Sequence, residues 1–381
     1  MEADAVARDT VAWRRHLHRH PELSFHEHET ARFVRETLVS FGGLEIQTPT
    51  PTSVVARLRG ARPGPILALR ADLDALPIQE ASGEEFASEH DGVMHACGHD
   101  GHTAMVLATA RVLAERRSEL AGEVRFVFQH AEELPPGGGS ELVAAGVVDG
   151  VDAVVGCHLL STLELGRVGV LDGSCTSAAD SFAVKIHGRG GHAAFPHETV
   201  DPILTAAAAI TSLQQVVSRN SSPLDSVVVS VTRIAGGAAD NVIPNELEFG
   251  GTVRTLKPEV RDRTIAAMTR VLDGVAASHG ASHEFQYIKG YDPVINDAAL
   301  AAIVRDAAGP QRVIDMKPLM AGDDFSAYLR AAPGCFFFVG AGNSKAFPHH
   351  HPNFTIDERA LPIGIETLAE TALRFLAVSS A

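Results

Sequence analysis

Within eight residues, His95-Ala96-Cys97-Gly98-His99-Asp100-Gly101-His102, the chain places one thiol and three imidazoles. Farther along come Glu132-Glu133, His158 and the run His349-His350-His351. Thiolate, imidazole and carboxylate are the side chains that hold zinc and similar divalent ions. A thiolate such as that of Cys97 is soft, can bridge two ions, and is deprotonated by the metal itself. Glu132 and Glu133 are adjacent, so in an extended segment they point in opposite directions. One can then bind metal while the other faces a substrate and moves a proton. Of the three consecutive histidines, at most one or two can reach the same ion. These residue types point to metal-dependent hydrolysis.

Other polar residues fit around that chemistry. Asp72 and Asp74 end a strand-like run, and a carboxylate there can hold a ligand histidine by its other nitrogen. Gly188-Arg189-Gly190-Gly191-His192 joins glycines, which permit close backbone approach, to one more imidazole. Asn241 and Arg254 lie in the same later region. His16, His18, His20, His26 and His28 lack the acidic partner of a zinc-binding helix and read as solvated or structural.

The elements that must position these side chains follow from the hydrophobic pattern. Residues 4–20 and 27–40 read as amphipathic helices separated by Pro21. Val54–Leu58 and Ile66–Arg70 read as strands around a turn, Asp100 as the cap of a helix to about Arg117, and Val124–Gln129 as a buried strand ending at the Glu pair. Val151–Gly156 is a further strand ending near His158, and Pro333–Gly340 another, followed by the His run. Strands alternating with helices predict an α/β domain with a mostly parallel sheet, which binds ligands at its carboxyl edge. Between them, Ser181–Gly188, 201–219, Ser226–Ile234, Glu246–Thr255, 260–279 and Ser282–Lys289 read in β-α-β-β-α-β order, the ferredoxin-like arrangement. We therefore expect a metal-binding catalytic domain over 1–178 and 292–381, with an inserted α+β lid or dimerisation domain over 179–291. Hinges at Ala178-Ala179 and Gly290-Tyr291 would let the insert swing.

Composition narrows the function classes. The 381 residues are 45% hydrophobic and 21% charged, ordinary for a globular chain of two or three domains. The formal net charge of −15 argues against nucleic acid or an anionic membrane as the main partner. Cys97, Cys157, Cys175 and Cys335 are too few for a disulfide framework in a chain this long. The N-terminal stretch has no apolar segment of a signal peptide, and no apolar run is long enough to span a bilayer, so a cytoplasmic setting is expected.

At these motifs the chain resembles the dinuclear metallopeptidase-like amidohydrolases. It is most similar to the branch of hippurate hydrolases, indole-acetyl-amino-acid hydrolases and related N-acyl-amino-acid amidohydrolases. The matching strings are His20-Pro21-Glu22-Leu23, Leu69 through Pro77, Met94 through His102, Ala131-Glu132-Glu133 and Gly188 through Ala194. Asn241-Val242-Ile243-Pro244, Gly251-Thr252-Val253-Arg254 and Gly322-Asp323-Asp324-Phe325 complete the set. The likeness runs from about residue 11 to 375. It departs at His130, where the family usually has proline, at Leu159-Leu160-Ser161-Thr162, and at Asp323, where glutamate is more usual.

The resemblance implies two divalent ions per subunit, of zinc, manganese, cobalt or nickel, held by Cys97, His99, Glu133, His158 and His350, with Cys97 bridging. It implies Glu132 as general base and acid, with Asp74 supporting a ligand. His192 and Asn241 would face the substrate, His192 from its own or a partner subunit, and Arg254 would take the substrate carboxylate. The implied substrate is a small N-acyl amino acid or peptide-like amide, cleaved by a homodimer or homotetramer. A dipeptidase or aminopeptidase is the alternative within enzymes, and a catalytically idle metal- or ligand-binding protein the alternative outside them.

Overall fold

The structure, a computed structural model, describes residues 3–378. The first stretch runs α1 (Ala3–Arg19), α2 (His28–Phe41), β1 (Glu45–Gln47), β2 (Val54–Arg59), β3 (Arg62–Asp72), α3 (His99–Glu115), β4 (Ala121–Gln129), α4 (Gly138–Ala144), β5 (Ala153–Glu164), β6 (Val168–Val170) and β7 (Gly173–Ser174). Next come β8 (Ala178–His187), β9 (Gly191–His192), α5 (Pro202–Gln215), β10 (Val227–Ala235), β11 (Val242–Ile243), β12 (Glu246–Thr255), α6 (Pro258–His279) and β13 (Ser282–Tyr291). The last stretch adds β14 (Ile295–Asn296), α7 (Ala298–Ala308), β15 (Val313–Ile314), β16 (Gly334–Gly342) and α8 (Leu361–Val378). The chain divides into two compact units. One comprises residues up to Cys175, Ile295–Lys317 and residues from Asp324 onward; the other comprises Thr176–Val294 and Pro318–Asp323.

The first unit is built on an eight-stranded sheet in the order β1-β2-β4-β3-β5-β16-β6-β15. Its centre is parallel: β3 pairs with β4 and β5, and β5 with β16. β1 and β2 add antiparallel strands at one margin, and β6 meets β16 antiparallel at the other. The central strands read as continuous apolar runs because they are covered on both faces; Leu67 to Asp72 and Val124 to Gln129 are buried without a break. α3 is buried along almost its whole length, with α1 and α8 packed against it. α2 instead buries one stripe, Thr30, Ala31, Val34 and Leu38, at helical spacing.

The second unit is a four-stranded antiparallel sheet in the order β10-β12-β8-β13, with α5 and α6. Buried and partly exposed residues alternate along β8, as in a sheet with one covered face. Phe182, Val184, Leu213, Phe249, Met268 and Leu272 form its core. Asp201 caps α5 by accepting from the Ile203 and Leu204 amides. A separate ribbon pairs β9 with β11.

Three local expectations change. Asp100 does not cap α3: Gly98 stands at the N-cap with φ 92°, a left-handed conformation that glycine adopts without steric cost. Asp100 sits in the first turn, tied to Arg14 and His18. The apolar run thought to end before His158 continues to Glu164, so His158 lies within β5. The turn expected between Val54–Leu58 and Ile66–Arg70 is mostly strand, because β2 runs to Arg59 and β3 already starts at Arg62.

Candidate metal centre

Because β3, β4, β5 and β16 run parallel, their carboxyl ends share one sheet edge, where α/β folds gather ligands. Asp72 closes β3 and Asp74 follows it; Glu132 and Glu133 follow β4; His158 lies on β5; the His run follows β16. Cys97 and His99 arrive at the start of α3.

All five sequence candidates for metal ligation meet here. Potential ligand atoms of Cys97, His99 and His158 lie within 4.8 Å of one another, as do those of Cys97, Glu133 and His350, and those of His99, Glu132 and Glu133. Cys97 and His99 each belong to two of these groups, so the groups overlap in one cluster. Its Sγ is 3.5 Å from His158 Nε2, and His350 Nε2 is 3.2 Å from Glu133 Oε1. His99 Nε2 stands 4.0 Å from Glu132 Oε2 and 3.9 Å from Glu133 Oε1.

Hydrogen bonding assigns the imidazoles. His99 Nδ1 donates to the Asp74 carbonyl at 2.8 Å and His158 Nδ1 to the Leu159 carbonyl at 2.8 Å, so Nε2 is the nitrogen each has left for a ligand once deprotonated. His102 is already occupied on both sides: Nδ1 donates to Asp72 Oδ1 at 2.7 Å, and Nε2 accepts from the Leu159 amide at 2.8 Å. His349 Nε2 donates to the Leu159 carbonyl, and His351 Nδ1 accepts from the Asn353 amide. Within the run, His350 is thus the member facing the cluster. His95 is buried in the core with neither nitrogen hydrogen-bonded, and burial pushes it down to about 4.

A fit test comes from the polar atoms left over. His99 Nε2 is buried and makes no hydrogen bond. Such orphans are costly unless something compensates them. Charge points the same way. Burial works against a cation at His99, yet Asp72, Asp74 and Glu133 outweigh it and lift that imidazole to about 10. Burial, reinforced by Glu133 and Glu132, holds the Cys97 thiol well above its ordinary range. Burial, with His102 and His349 nearby, keeps His158 neutral. A site rich in carboxylate, with neutral imidazole and a thiol, matches a divalent cation; the cation would itself draw the proton from the thiol.

The carboxylate of Asp74 organises the centre without joining these groups of potential ligand atoms. It accepts the Glu132 amide at 3.0 Å, the Glu133 amide at 2.9 Å and the Ser24 hydroxyl at 2.7 Å. His99, Ser24 and the Glu133 amide keep its pKa low despite burial.

The remaining candidates lie in the second unit. His192 and Asn241 are exposed neighbours on the β9–β11 ribbon, where the Ala193 amide donates to the Asn241 carbonyl. His192 Nδ1 accepts from the Ala194 amide, directing its protonated nitrogen to Nε2. Arg254 is half-buried on β12, and its Nη1 donates to the Asp180 carbonyl and to Thr252 Oγ1.

Sequence reading missed the support behind the cluster. Buried Arg70 donates to Asp72 Oδ2 at 2.6 Å, Asp324 Oδ1 at 2.7 Å and Gln129 Oε1 at 2.9 Å, and the Tyr328 hydroxyl donates to the same Gln129 oxygen. Asp72 in turn orients His102. No spacing rule links residues 70, 129 and 324; only the parallel strand order brings them together. Glu27 was also missed. It is fully buried, accepts the Ala131 amide at 2.7 Å, and is raised by burial to about 8.

The sequence profile of Peptidase family M20/M25/M40 matches residues 68–374. An N-acyl-L-amino acid amidohydrolase of Geobacillus stearothermophilus is 55% identical over 293 residues, 77% of this chain and 79% of that protein. An N-acetylcysteine deacetylase of Bacillus subtilis (strain 168) is 42% identical, over 95% of this chain and 96% of that one. Among solved structures, the Bacillus subtilis YXEP protein, described as a dinuclear metal binding peptidase from the M20 family, superposes with a TM-score of 0.88 at 38% identity, covering 98% of this chain and 99% of that one.

Proposed function

Because the chain belongs to peptidase family M20/M25/M40, we propose that it is an amidohydrolase that cleaves the amide bond of N-acyl amino acids, using two divalent ions and Glu132. The observation that carries this reading is the sharing of Cys97 between two groups of potential ligands, with Glu132 beside them. Its fit to metal rests on the buried His99 Nε2, which makes no hydrogen bond, and on the carboxylates gathered around it. Cys97, His99, Glu133, His158 and His350 would hold the ions. Divalent ions supply Lewis acidity there, lowering the pKa of water toward neutrality and polarising a carbonyl.

The chain's own residues do the rest. Glu132 takes the proton from the attacking water and delivers it to the leaving amine. Asp74 holds the amides of Glu132 and Glu133 and, through its carbonyl, His99, so base and ligands keep one spacing. His192 donates from Nε2 to the developing oxyanion. Asn241 binds the amide, and Arg254 pairs with the substrate carboxylate. Thiolate with imidazole favours zinc, while the carboxylates also admit manganese, cobalt or nickel. The inserted unit serves as lid and dimerisation domain. The four cysteines, none in a disulfide and three of them buried, are in keeping with a reducing cytoplasmic setting. Among the described residues no helix is long and apolar enough to cross a membrane.

Glu132→Gln tests the assignment. The expected result is a loss of about 10²–10⁴-fold in kcat on an N-acetyl amino acid with metal content unchanged. Undiminished turnover by the metal-loaded variant would remove Glu132 from the role.

A further inference from the structure

The motif His20-Pro21-Glu22-Leu23 and the residues just after it have no part in the chemistry described so far, yet they lie directly behind the base. Leu23 forms a parallel bridge with Ala75, and the Ala75 amide donates to the Glu22 carbonyl at 2.8 Å. Ser24 donates to Asp74. Phe25 turns the chain with φ 67°, its ring centroid 5.5 Å from that of His130. Glu27 then occupies the N-cap of α2.

A residue at an N-cap usually gives its side chain to the free amides of the first turn. Glu27 makes no such bond. Glu22 does that work from outside the helix, accepting the Glu29 amide at 3.2 Å and the Thr30 amide at 2.8 Å. The Glu27 side chain instead crosses to the loop after β4 and accepts the Ala131 amide at 2.7 Å. Three successive amides of that loop therefore end on carboxylates: Ala131 on Glu27 Oε1, Glu132 on Asp74 Oδ1 and Glu133 on Asp74 Oδ2.

Ala131 needs such a hold. Its φ is 50°, in the left-handed region that a residue with a Cβ enters only at a steric cost. From the other side its carbonyl accepts the Gly138 amide at 3.1 Å. A Cβ on Gly138 would lie 2.1 Å from the His130 carbonyl oxygen, so the loop is closed tightly on itself. Were the Ala131 amide released, the turn could relax toward ordinary backbone angles and carry the next residue, Glu132, with it.

We propose that Glu27 is a positioning residue for the reaction: by accepting the Ala131 amide it fixes the left-handed turn that aims Glu132 at the reacting water. This rests on the reading of Glu132 as the base. What the turn requires is a buried acceptor at that reach, not a charge. The uncharged state favoured by burial is consistent with that. A displacement of about 1 Å at a catalytic group can cost 10²-fold in rate.

The experiment compares Glu27→Gln, Glu27→Ala, Glu27→Asp and Glu132→Gln in the full chain. It measures kcat and KM on an N-acetyl amino acid, metal content per chain and the unfolding midpoint. Glu27→Gln keeps the acceptor and is expected within about threefold of the parent kcat. Glu27→Ala removes it, and Glu27→Asp withdraws it by one methylene; each is expected to lower kcat by about 10–100-fold with KM and metal content within twofold. Should the Ala variant fail to fold, the Asp variant, which keeps a buried carboxyl, decides. Parental kcat in a folded Ala or Asp variant overturns the proposal. So does a loss that tracks metal content, or a Gln variant as poor as Ala. If Glu132→Gln keeps full activity, the reading of the base fails on its own evidence, separately from these outcomes.

Discussion

Among the site's side chains, two adjacent glutamates differ in surroundings, not in type. Glu133 Oε1 is buried and lies 3.2 Å from His350 Nε2, while Glu132 sits beside it with its amide on Asp74. Removing a ligand and removing the base should therefore give different signatures. Cys97→Ser replaces the shared sulfur by a poorer ligand for soft ions, and the metal content is expected to fall below two per chain, read by elemental analysis after dialysis. Glu132→Gln is expected to leave that content unchanged while turnover collapses. Glu27 gives a prediction in pH. Its carboxyl ionises near 4.5 when exposed but only near about 8 when folded. The unfolded chain thus loses this proton first, and the stability tied to it declines as pH rises from 4.5 to 8. Glu27→Gln removes that decline, so its denaturation midpoint should gain on the parent across this interval. A constant difference across the same interval would contradict the elevated ionisation. The ligand types and the Glu pair were legible in the sequence because their chemistry is carried by identity and local spacing. Glu27 was not, since its partner lies 104 residues away and nothing in its neighbours announces the crossing.

At the level of elements, α1 and α3 are joined by buried charge. Arg14 Nε donates to Asp100 Oδ2 at 2.7 Å, and Nη1 reaches Glu358; His18 meets Asp100 at 2.8 Å and Glu80 at 3.2 Å. Removing one member strands the others in a low-dielectric interior. Arg14→Leu is expected to cost about 3–5 kcal/mol in urea denaturation. A change below 1 kcal/mol would mean that water reaches Asp100. The same bonds explain why Asp100 looked like a helix cap: Asp beside a helix start is a common capping signal, but here glycine makes the turn and the carboxylate serves a tertiary contact. The amphipathic helices and apolar strands were readable because periodicity reports which faces are covered. Short strands such as β1, β6 and β15 carry two or three residues each and leave no period to detect. Nor does periodicity reveal direction, so the antiparallel β1–β2 margin of the sheet emerged only in three dimensions.

The whole molecule combines a unit that carries the candidate metal ligands with an inserted unit that carries His192, Asn241 and Arg254. The β-α-β-β-α-β order of the insert was visible because strands such as β8 and β13 alternate residue by residue, and its long strands close into a sheet of their own. If the insert supplies substrate contacts and not metal ligands, His192→Ala should lower kcat by about 10²-fold while two ions stay bound. If His192 serves the site of a partner subunit, mixing inactive His192→Ala and Glu132→Gln chains should restore part of the activity, because some mixed dimers then contain one complete site. Activity no higher than the sum of the two variants would place His192 in its own subunit's site.

The most direct measurement strips the protein of metal and assays hydrolysis of a panel of N-acyl amino acids, adding back zinc, manganese, cobalt or nickel separately. The expected result is release of free amino acid only when metal is restored, reaching its maximum at two ions per chain and requiring no free amine on the substrate. Hydrolysis that persists in the stripped protein, or silence across the panel with two ions bound, would contradict metal-dependent cleavage of N-acyl amino acids by this chain.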